Sequence, residues 1–428
     1  MNKKKQKYFG LNDLFVKNGI DVPFLIILLV IVSVGMIMLL SASYFYAFYN
    51  ENGDSLFYFK KQLVFLMIGL VALFVVSKID YKYLKLFGLL GMGLAFVFLI
   101  LVLVVPQEGD IKRWFQIGPI GFQPSEFAKF TMIMVLAWGL SKDSAKMVSN
   151  APSRLFVFRF LRKLTGHTAC VGTVTMLKHF AFICVIAILV MLESHLSGTI
   201  LILGIGVAML WMGEGKTRWF VIGGTAVLVL GVAFIFYVKA KNFQDIPVLK
   251  QYMVDRIRAW LDKDFDPLGD RWQTNQSLYA IGSGGFLGAG LGNSKEKYLY
   301  VSEPQNDFIF AIVCEELGFV GAVLILVLYG LLVWRGLYIG LRAKDRYGAL
   351  LVFGMVSQLA LQVALNVGVV SDLLPNTGIG LPFFSYGGTS MLICLLEMGV
   401  VLSVSRQANL PKVYSFKKQK PGKGEDVI

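Results

Sequence analysis

The sequence has few charged residues, few cysteines and only three histidines. Charged residues make up 16% of the 428 residues, whereas hydrophobic residues make up 56%, and the mean hydropathy is +0.66. An ordinary soluble domain needs a more polar surface, so this composition excludes one. It is typical of a membrane protein that crosses the bilayer several times, because apolar side chains then face lipid as well as the core.

The scarcity of metal-binding and disulfide-forming residues excludes further classes. The four cysteines are scattered and form no CxxC pair, and they are Cys170, Cys184, Cys314 and Cys394. Neither a disulfide framework nor a zinc site is therefore predicted. His195 has no second histidine near it in the sequence, and we interpret it as a structural residue.

Two nucleotide-related functions are also excluded. The net charge is +14, but the basic residues lie in loops between apolar runs rather than on one continuous face, so nucleic acid is not an expected partner. The glycine-rich stretch 282–292 is not followed by Gly-Lys-Ser/Thr, which a phosphate-binding P-loop requires.

The apolar runs predict ten membrane-spanning helices, each close to the roughly 20 residues that cross a bilayer. They are 23–45, 62–78, 84–105, 124–141, 178–194, 198–214, 219–239, 307–335, 346–370 and 384–405. Basic residues concentrate in both tails and in alternate connections, which predicts cytoplasmic N- and C-termini. We therefore expect an all-α polytopic membrane protein, with basic tails at 1–22 and 406–428 around a ten-helix domain at 23–405.

Two connections are long. Residues 142–177 are expected to be a cytoplasmic insert, which is either a short basic helix on anionic membrane lipids or a disordered basic loop. Residues 240–306 are expected to form a large extracellular loop between spans seven and eight. A structureless loop of this length would be unusual, and its glycines permit close approach of backbone to a ligand.

The stretch from Glu303 to Asp307 carries a carboxylate to the start of the eighth apolar run. We expect Asp307 in the first turn of that helix, sharing a face with Glu315. Asp307 is a candidate for chemistry at the membrane surface, or else merely an N-terminal cap or a first-turn acid that stabilises the helix dipole. Glu315 lies deeper in the span and needs a partner or a water-filled cavity.

Two other stretches have similar features. Residues 123–129 read Gln-Pro-Ser-Glu-Phe-Ala-Lys, in which Glu126 and Lys129 are spaced to form an ion pair. That pair is either structural or borders the same cavity as Asp307. Residues 374–390 contain two prolines, several glycines and Ser385, which indicates irregular backbone that either binds a polar head group or merely connects two spans.

These motifs together resemble the SEDS family (shape, elongation, division and sporulation), over nearly all ten spans. Those that carry the resemblance are Gln-Pro-Ser-Glu-Phe-Ala-Lys at 123–129, Gln-Ser-Leu-Tyr-Ala-Ile-Gly-Ser-Gly-Gly at 276–285, Asp-Phe-Ile-Phe-Ala with Glu-Glu-Leu-Gly-Phe at 307–319, and Leu-Pro-Phe-Phe-Ser-Tyr-Gly-Gly at 381–388. Gly-Leu-Gly-Asn-Ser at 290–294 with Lys297 is similar to the FtsW/SpoVE branch of the family.

The resemblance implies a peptidoglycan glycosyltransferase of the bacterial cytoplasmic membrane, acting in cell division or sporulation. Such enzymes polymerise lipid II, the undecaprenyl-pyrophosphate-linked disaccharide peptide, on the outer face. The implied partners are a class B penicillin-binding protein, which is the transpeptidase, and other divisome proteins. The family's essential aspartate corresponds to Asp307, and its Glu/Lys pair corresponds to Glu126 and Lys129.

Two features depart from the family pattern. Many members have Glu-Pro-Asp where this chain has Glu193-Ser194-His195, and the 142–177 insert is long.

For this reaction we predict that Asp307 is the general base. Cations would stabilise the leaving pyrophosphate, with Mg²⁺ or Mn²⁺ as an additional candidate. The candidate cations are Arg113, Arg256, Arg258, Lys295 and Lys297, and the remaining candidate substrate-binding residues are Glu126, Lys129 and Ser385. A lipid II flippase and a non-catalytic division scaffold are the alternative functions.

Overall fold

The computed structural model describes residues 19–105, 113–117, 120–151, 170–193, 195–241, 243, 251–269, 271–298 and 300–408. Within them the chain forms α-helices and one β-hairpin. The helices are α1 (Val22–Asn50), α2 (Phe57–Lys78), α3 (Leu84–Val104), α4 (Pro124–Val148), α5 (Val171–Leu192), α6 (Leu196–Met212), α7 (Thr217–Ala240), α8 (Gln251–Leu261), α9 (Trp272–Gly284), α10 (Ile309–Leu341), α11 (Arg346–Val370) and α12 (Gly388–Gln407). Strands β1 (Phe115–Ile117) and β2 (Ile120–Phe122) form the hairpin, and a 3-10 turn at Tyr81–Tyr83 precedes α3.

A helix lies over every predicted span. Eight of the described helices are long and apolar enough to cross a membrane, namely α1, α2, α3, α5, α7, α10, α11 and α12. Of the other two, α4 carries charged residues in its first turns and α6 has only 17 residues. The chain is therefore an integral membrane protein.

The connections between the predicted spans contain helices and a β-hairpin that were not predicted from the sequence. Helices α8 and α9 lie within the predicted loop 240–306, and the β-hairpin precedes α4, so the fold is nearly all-helical rather than all-α. Helix α4 continues to Val148 and α5 begins at Val171, which shortens the predicted insert at both ends. The candidate basic helix in that insert and most of both tails lie outside the described residues.

Local sequence signals set several helix starts. The Asp21 carboxylate accepts a hydrogen bond from the Phe24 amide at 3.0 Å, and Pro23 occupies the first turn of α1. The same carboxylate pairs with Arg335 of α10 at 2.9 Å. Pro124 opens α4 in the same way. These starts agree with the expectation from proline position.

Close packing of α2 against α12 and of α1 against the 381–388 segment forms part of the core. A Cβ at Gly399 would lie 2.9 Å from the Leu73 carbonyl oxygen, and a Cβ at Gly35 would lie 2.4 Å from that of Phe383. Helix α7 is the opposite case, since Val238 is the only buried residue of that helix. Its apolar surface suits contact with lipid.

Helix α10 is interrupted at Gly318, which has φ 66° and ψ −171°. The carbonyls of Glu315 and Glu316 accept hydrogen bonds from the Ala289 and Gly290 amides at 2.9 and 3.0 Å. The glycine-rich loop after α9 therefore replaces the helical hydrogen bonds that the break removes.

Candidate active site

A cavity of about 300 Å³ lies where four helices begin. Its lining comes from the first turns of α4, α6 and α12, from the turn before α10, and from the segment 378–387. Helix N-termini carry partial positive charge and unpaired amides, so this arrangement favours an anionic ligand. Five predicted site residues line the cavity: Asp307, Arg113, Glu126, Lys129 and Ser385.

Asp307 lies in the turn before α10, whose first residue is Ile309. The expectation that Asp307 belongs to the first helical turn is therefore wrong, because the chain becomes helical only after Phe308. Phe308, not Asp307, is the N-cap, and among the described contacts no side-chain hydrogen bond caps the start of this helix. The Asp307 carboxylate faces the cavity, and the capping alternative has no support among the described contacts.

The Asp307 carboxylate lies against the backbone of Gly378, and the Asn366 side chain holds the adjoining segments together. A Cβ on Gly378 would lie 3.1 Å from Asp307 Oδ2, and Gly378 has φ +70°. Only glycine fits this close approach in that backbone conformation without strain. Asn366 of α11 donates to the carbonyl oxygens of Asp307 at 2.8 Å and Ile379 at 2.6 Å. One amide group thus fixes both walls of the cavity around the carboxylate.

The pKa of Asp307 is raised to about 6, chiefly by burial and also by the nearby Glu303 carboxylate, whereas Arg256 and Arg113 oppose the rise. The ordinary value is 3.8. A carboxylate with a pKa close to neutrality is a far better proton acceptor than a solvated one, because the most effective base has a pKa near the working pH.

Glu126 and Lys129 form the ion pair that their spacing predicts, with 2.7 Å between Oε1 and Nζ. Both are buried in the first turns of α4, and both line the cavity. A buried pair adds little net stability, since desolvation offsets the attraction. Its position at the cavity wall places a fixed charge pair beside any bound ligand.

Arg113 reaches the cavity because of the hairpin. Phe115 pairs with Phe122 in an antiparallel register, which brings the residues just before β1 beside those just after β2. Arg113 is thereby placed near Gln123, and both line the cavity.

Ser385 joins two backbone segments of the cavity wall. Its hydroxyl donates to the Asn306 carbonyl and accepts from the Leu381 amide, both at 2.7 Å.

The two arginines of α8 are separated by the structure. Arg256 donates to the Asn376 carbonyl at 3.1 Å and is close enough to Asp307 to lower its pKa. Arg258 instead stacks on Phe265, with 4.0 Å from the guanidinium carbon to the ring centre, and it is not among the lining residues.

Lys297 lies at a different cavity, of about 340 Å³, between α1 and the glycine-rich loop. Its ammonium group donates to Glu316 at 2.8 Å, to the Gly292 carbonyl at 2.6 Å and to Ser41 at 3.2 Å. All three donors are therefore used within the protein.

Glu315 has the hydrogen-bond partners that a carboxylate at its depth in the span requires, namely the Ser294 hydroxyl and the Lys295 amide.

Several residues that sequence reasoning did not select also belong to this region. His195, interpreted above as structural, lines the cavity, as do Gln123 and Gln362. Glu193 is fully buried, which raises its pKa to about 8.

A polar stripe on an otherwise apolar helix is the signal that points to this region. Gln358, Gln362 and Asn366 of α11 follow one another at four-residue spacing and are all buried. Buried amides at that spacing within an apolar helix indicate one polar face turned toward a cavity.

The described residues include no group of three histidine, cysteine or acidic side chains arranged to hold a metal ion. A Mg²⁺ or Mn²⁺ ion held in a cage of protein side chains therefore does not fit them.

Comparison with known proteins identifies the family. Residues 22–410 match the FtsW/RodA/SpoVE family model, described as cell cycle protein. Stage V sporulation protein E of Bacillus subtilis is 37% identical over 394 residues, which cover 91% of this chain and 98% of that protein. A probable peptidoglycan glycosyltransferase FtsW of Trichlorobacter lovleyi is 31% identical, covering 90% of this chain and 93% of that protein.

Solved structures show the same fold. A chain from a structure described as the structural coordination of polymerization and crosslinking by a peptidoglycan synthase complex matches with a TM-score of 0.67 and 26% identity. The match covers 90% of this chain and 98% of that one. The rod shape determining protein RodA of Thermus thermophilus matches with a TM-score of 0.59 and 25% identity, covering 92% and 98%. The chain therefore belongs to the FtsW/RodA/SpoVE, or SEDS, family of cell cycle proteins.

Proposed function

We propose that this protein is a peptidoglycan glycosyltransferase that polymerises lipid II, with Asp307 as the general base. The observation that carries the proposal is the Asp307 carboxylate itself. It faces a polar cavity at the start of α10, its pKa is raised to about 6, and none of its side-chain oxygens has a hydrogen-bond partner among the described residues. Membership of the family supports the reaction class.

The reaction joins the 4-hydroxyl of one lipid-linked sugar to the anomeric carbon of another. The hydroxyl must lose its proton as the new glycosidic bond forms, and Asp307 accepts it. The bond between the anomeric carbon and the pyrophosphate breaks in the same step, and the lipid pyrophosphate leaves. Displacement of an α-linked pyrophosphate from the opposite face gives a β-linked product, so the enzyme is an inverting one.

Negative charge develops on the leaving pyrophosphate and needs stabilisation. Arg113 lines the cavity, Arg256 lies close enough to affect Asp307, and the helix N-termini add partial positive charge. These groups would bind the pyrophosphate, while Lys129 is already paired with Glu126. We do not assign a substrate contact to Arg258, which stacks on Phe265 and does not line this cavity, or to Lys297, which lies at the other cavity.

If a divalent ion takes part, it would be bound to the pyrophosphate of the substrate and not to a cage of protein side chains. Mg²⁺ commonly binds phosphate oxygens together with few protein ligands, and it would supply charge neutralisation at the pyrophosphate. Since the described residues form no metal cage, the proposed mechanism assigns no protein ligand to Mg²⁺ or Mn²⁺.

The same proposal places the cavity on the outer face of the membrane, with both chain ends in the cytoplasm. It is supported by the distribution of basic residues, which concentrate in the connections that would then be internal. The polyprenyl tail of lipid II would lie in apolar grooves between helices. The partner would be a transpeptidase of the class B penicillin-binding type, and the match to a chain of a peptidoglycan synthase complex supports it.

Reconstitution with labelled lipid II tests the function. Wild-type protein, with and without the transpeptidase, is expected to form glycan polymer, and Asp307→Asn is expected to form none while remaining folded. Glu303→Gln is the matched control, because it removes a second carboxylate from the same cavity and should still polymerise at pH 8. Polymerisation by Asp307→Asn at the wild-type rate would refute the assignment. Flipped lipid without polymer would indicate a flippase, and neither product would indicate a scaffold.

A further inference from the structure

His195 is a buried residue that lines the cavity and that the reaction above leaves without a role. It precedes α6, it is 6% exposed, and its ring lines the cavity. Its Nδ1 atom lies 3.3 Å from Gln123 Nε2 and 3.1 Å from Ser125 Oγ, both on the segment that begins α4. The ring is therefore fixed in place from one side.

Those contacts determine where the proton of the neutral ring resides. With the Gln123 amide nitrogen facing the ring, Gln123 donates and Nδ1 accepts, and the Ser125 hydroxyl can donate to the same atom. In a neutral imidazole the other nitrogen then carries the proton. Nε2–H of His195 is thus a hydrogen-bond donor, and it has no partner among the described residues of the chain.

The ring also stays neutral. Burial lowers the pKa of His195 to about 3, and the positive charges of Arg113 and Lys129 lower it as well. A neutral ring keeps the same donor at every pH at which the enzyme would work. Because Nε2–H of His195 can donate but not accept a hydrogen bond, and because Arg113 is nearby, this position favours a ligand oxygen that is unprotonated and negatively charged.

We propose that Nε2–H of His195 donates a hydrogen bond to a phosphate oxygen of the lipid pyrophosphate, beside Arg113. This deepens the proposed function and rests on it for the identity of the substrate. His195 would then be a substrate-binding residue, with Gln123 and Ser125 as the residues that set its tautomer.

Two substitutions separate this role from a structural one. In His195→Gln the side-chain amide lies near the position of Nε2 and can replace that donor, whereas in His195→Asn it lies near Nδ1 and keeps only the contacts to Gln123 and Ser125. The binding of farnesyl pyrophosphate to the purified full-length protein is measured, with farnesol as the control for tail binding. We expect affinity for the pyrophosphate to fall about tenfold or more in His195→Asn and by less than about threefold in His195→Gln, with farnesol binding unchanged.

The reverse order, or equal losses in the two variants, would overturn the proposal, because a structural histidine depends on its Nδ1 contacts. Binding is measured without turnover, so its result is distinct from that of the polymerisation assay. A wild-type protein that binds farnesyl pyrophosphate but makes no polymer would refute the glycosyltransferase function and leave the histidine contact standing.

A measurement on the wild-type protein covers the case in which both variants fail to fold. The chain has only three histidines, so nitrogen NMR of histidine-labelled protein gives few signals. We expect His195 to show a protonated Nε2 and an unprotonated Nδ1, with the Nε2 signal moving on addition of farnesyl pyrophosphate and not of farnesol. A protonated Nδ1, or an Nε2 signal that does not move, would contradict the proposal.

Discussion

The pH dependence of polymerisation provides a quantitative test of Asp307. A general base must be ionised in the free enzyme, so kcat/KM falls as pH drops through its pKa. With a pKa of about 6, kcat/KM should fall about tenfold between pH 7 and pH 5. A carboxylate with the ordinary value of 3.8 would lose only about 6% over the same range.

Replacing either of two charged neighbours of Asp307 should move the acid limb, which is the fall of kcat/KM at low pH, and the two replacements should move it in opposite directions. The Glu303 carboxylate raises the pKa of Asp307, so Glu303→Gln should shift the limb to lower pH. Arg256 lowers that pKa, so Arg256→Gln should shift the limb to higher pH. Both residues are outside the membrane-spanning helices, and neither is expected to receive the proton.

The assay is the initial rate of polymer formation from lipid II at low substrate concentration, measured from pH 4.5 to 8.5 in one detergent. Each variant is compared with wild type after its melting temperature has been checked at every pH. A flat profile down to pH 5, or shifts of the same sign in the two variants, would show that Asp307 is not the group that titrates. Complete loss of activity in Glu303→Gln at every pH would transfer the role of base to Glu303.

Three further predictions concern stability and are checked by thermal or denaturant unfolding at matched detergent. Because the pKa of Asp307 is raised on folding, ionisation of this carboxyl destabilises the protein as pH rises through about 6. Asp307→Asn should therefore be more stable than wild type at pH 8, by at most about 3 kcal/mol, and not at pH 3. A variant as stable as wild type at both pH values would contradict the raised pKa. Gly318→Ala should lower the melting temperature, because its Cβ would lie 2.3 Å from a backbone nitrogen in a conformation that only glycine adopts easily; Gly330→Ala in the same helix has open space and should not. Lys297→Met should lower the free energy of unfolding by about 3–5 kcal/mol, because it leaves the buried Glu316 carboxylate without its ion-pair partner. The double variant Lys297→Met, Glu316→Gln should regain part of that stability. A double variant no more stable than Lys297→Met would exclude the ion pair as the cause.

The helices were the most predictable part of the structure, because lipid imposes both a length and an apolar composition on a span. The start of α4 could be located from Pro124, since proline is favoured in the first helical turn. The start of α10 could not be located to the residue. Asp307 and Phe308 continue the pattern of the helix that follows, whereas in the structure the Asn366 side chain, distant in sequence, donates to the carbonyl of Asp307 in the turn.

The candidate site was predictable in part for a related reason. Asp307, Glu126 and Ser385 each lie close to the start of a helix, and the alternation of the predicted spans places these starts on one side of the membrane. The basic residues of the glycine-rich loop were not predictable in this way. Lys297 is held by acceptors from three separate segments, so nothing local distinguishes it from a substrate-binding lysine.

The charge balance of the cavity links the base to the substrate. Among the described residues, its lining includes three carboxylates, Asp307, Glu303 and Glu126, and two cations, Arg113 and Lys129. A pyrophosphate bound there adds negative charge near Asp307, which raises the pKa of the carboxyl in the complex above its value in the free enzyme. The acid limb of kcat, which reports the complex, should therefore lie at higher pH than that of kcat/KM. A kcat limb at the same or lower pH would mean that a cation enters with the pyrophosphate, and repeating the two profiles in chelator and in excess Mg²⁺ would show whether a divalent ion is that cation.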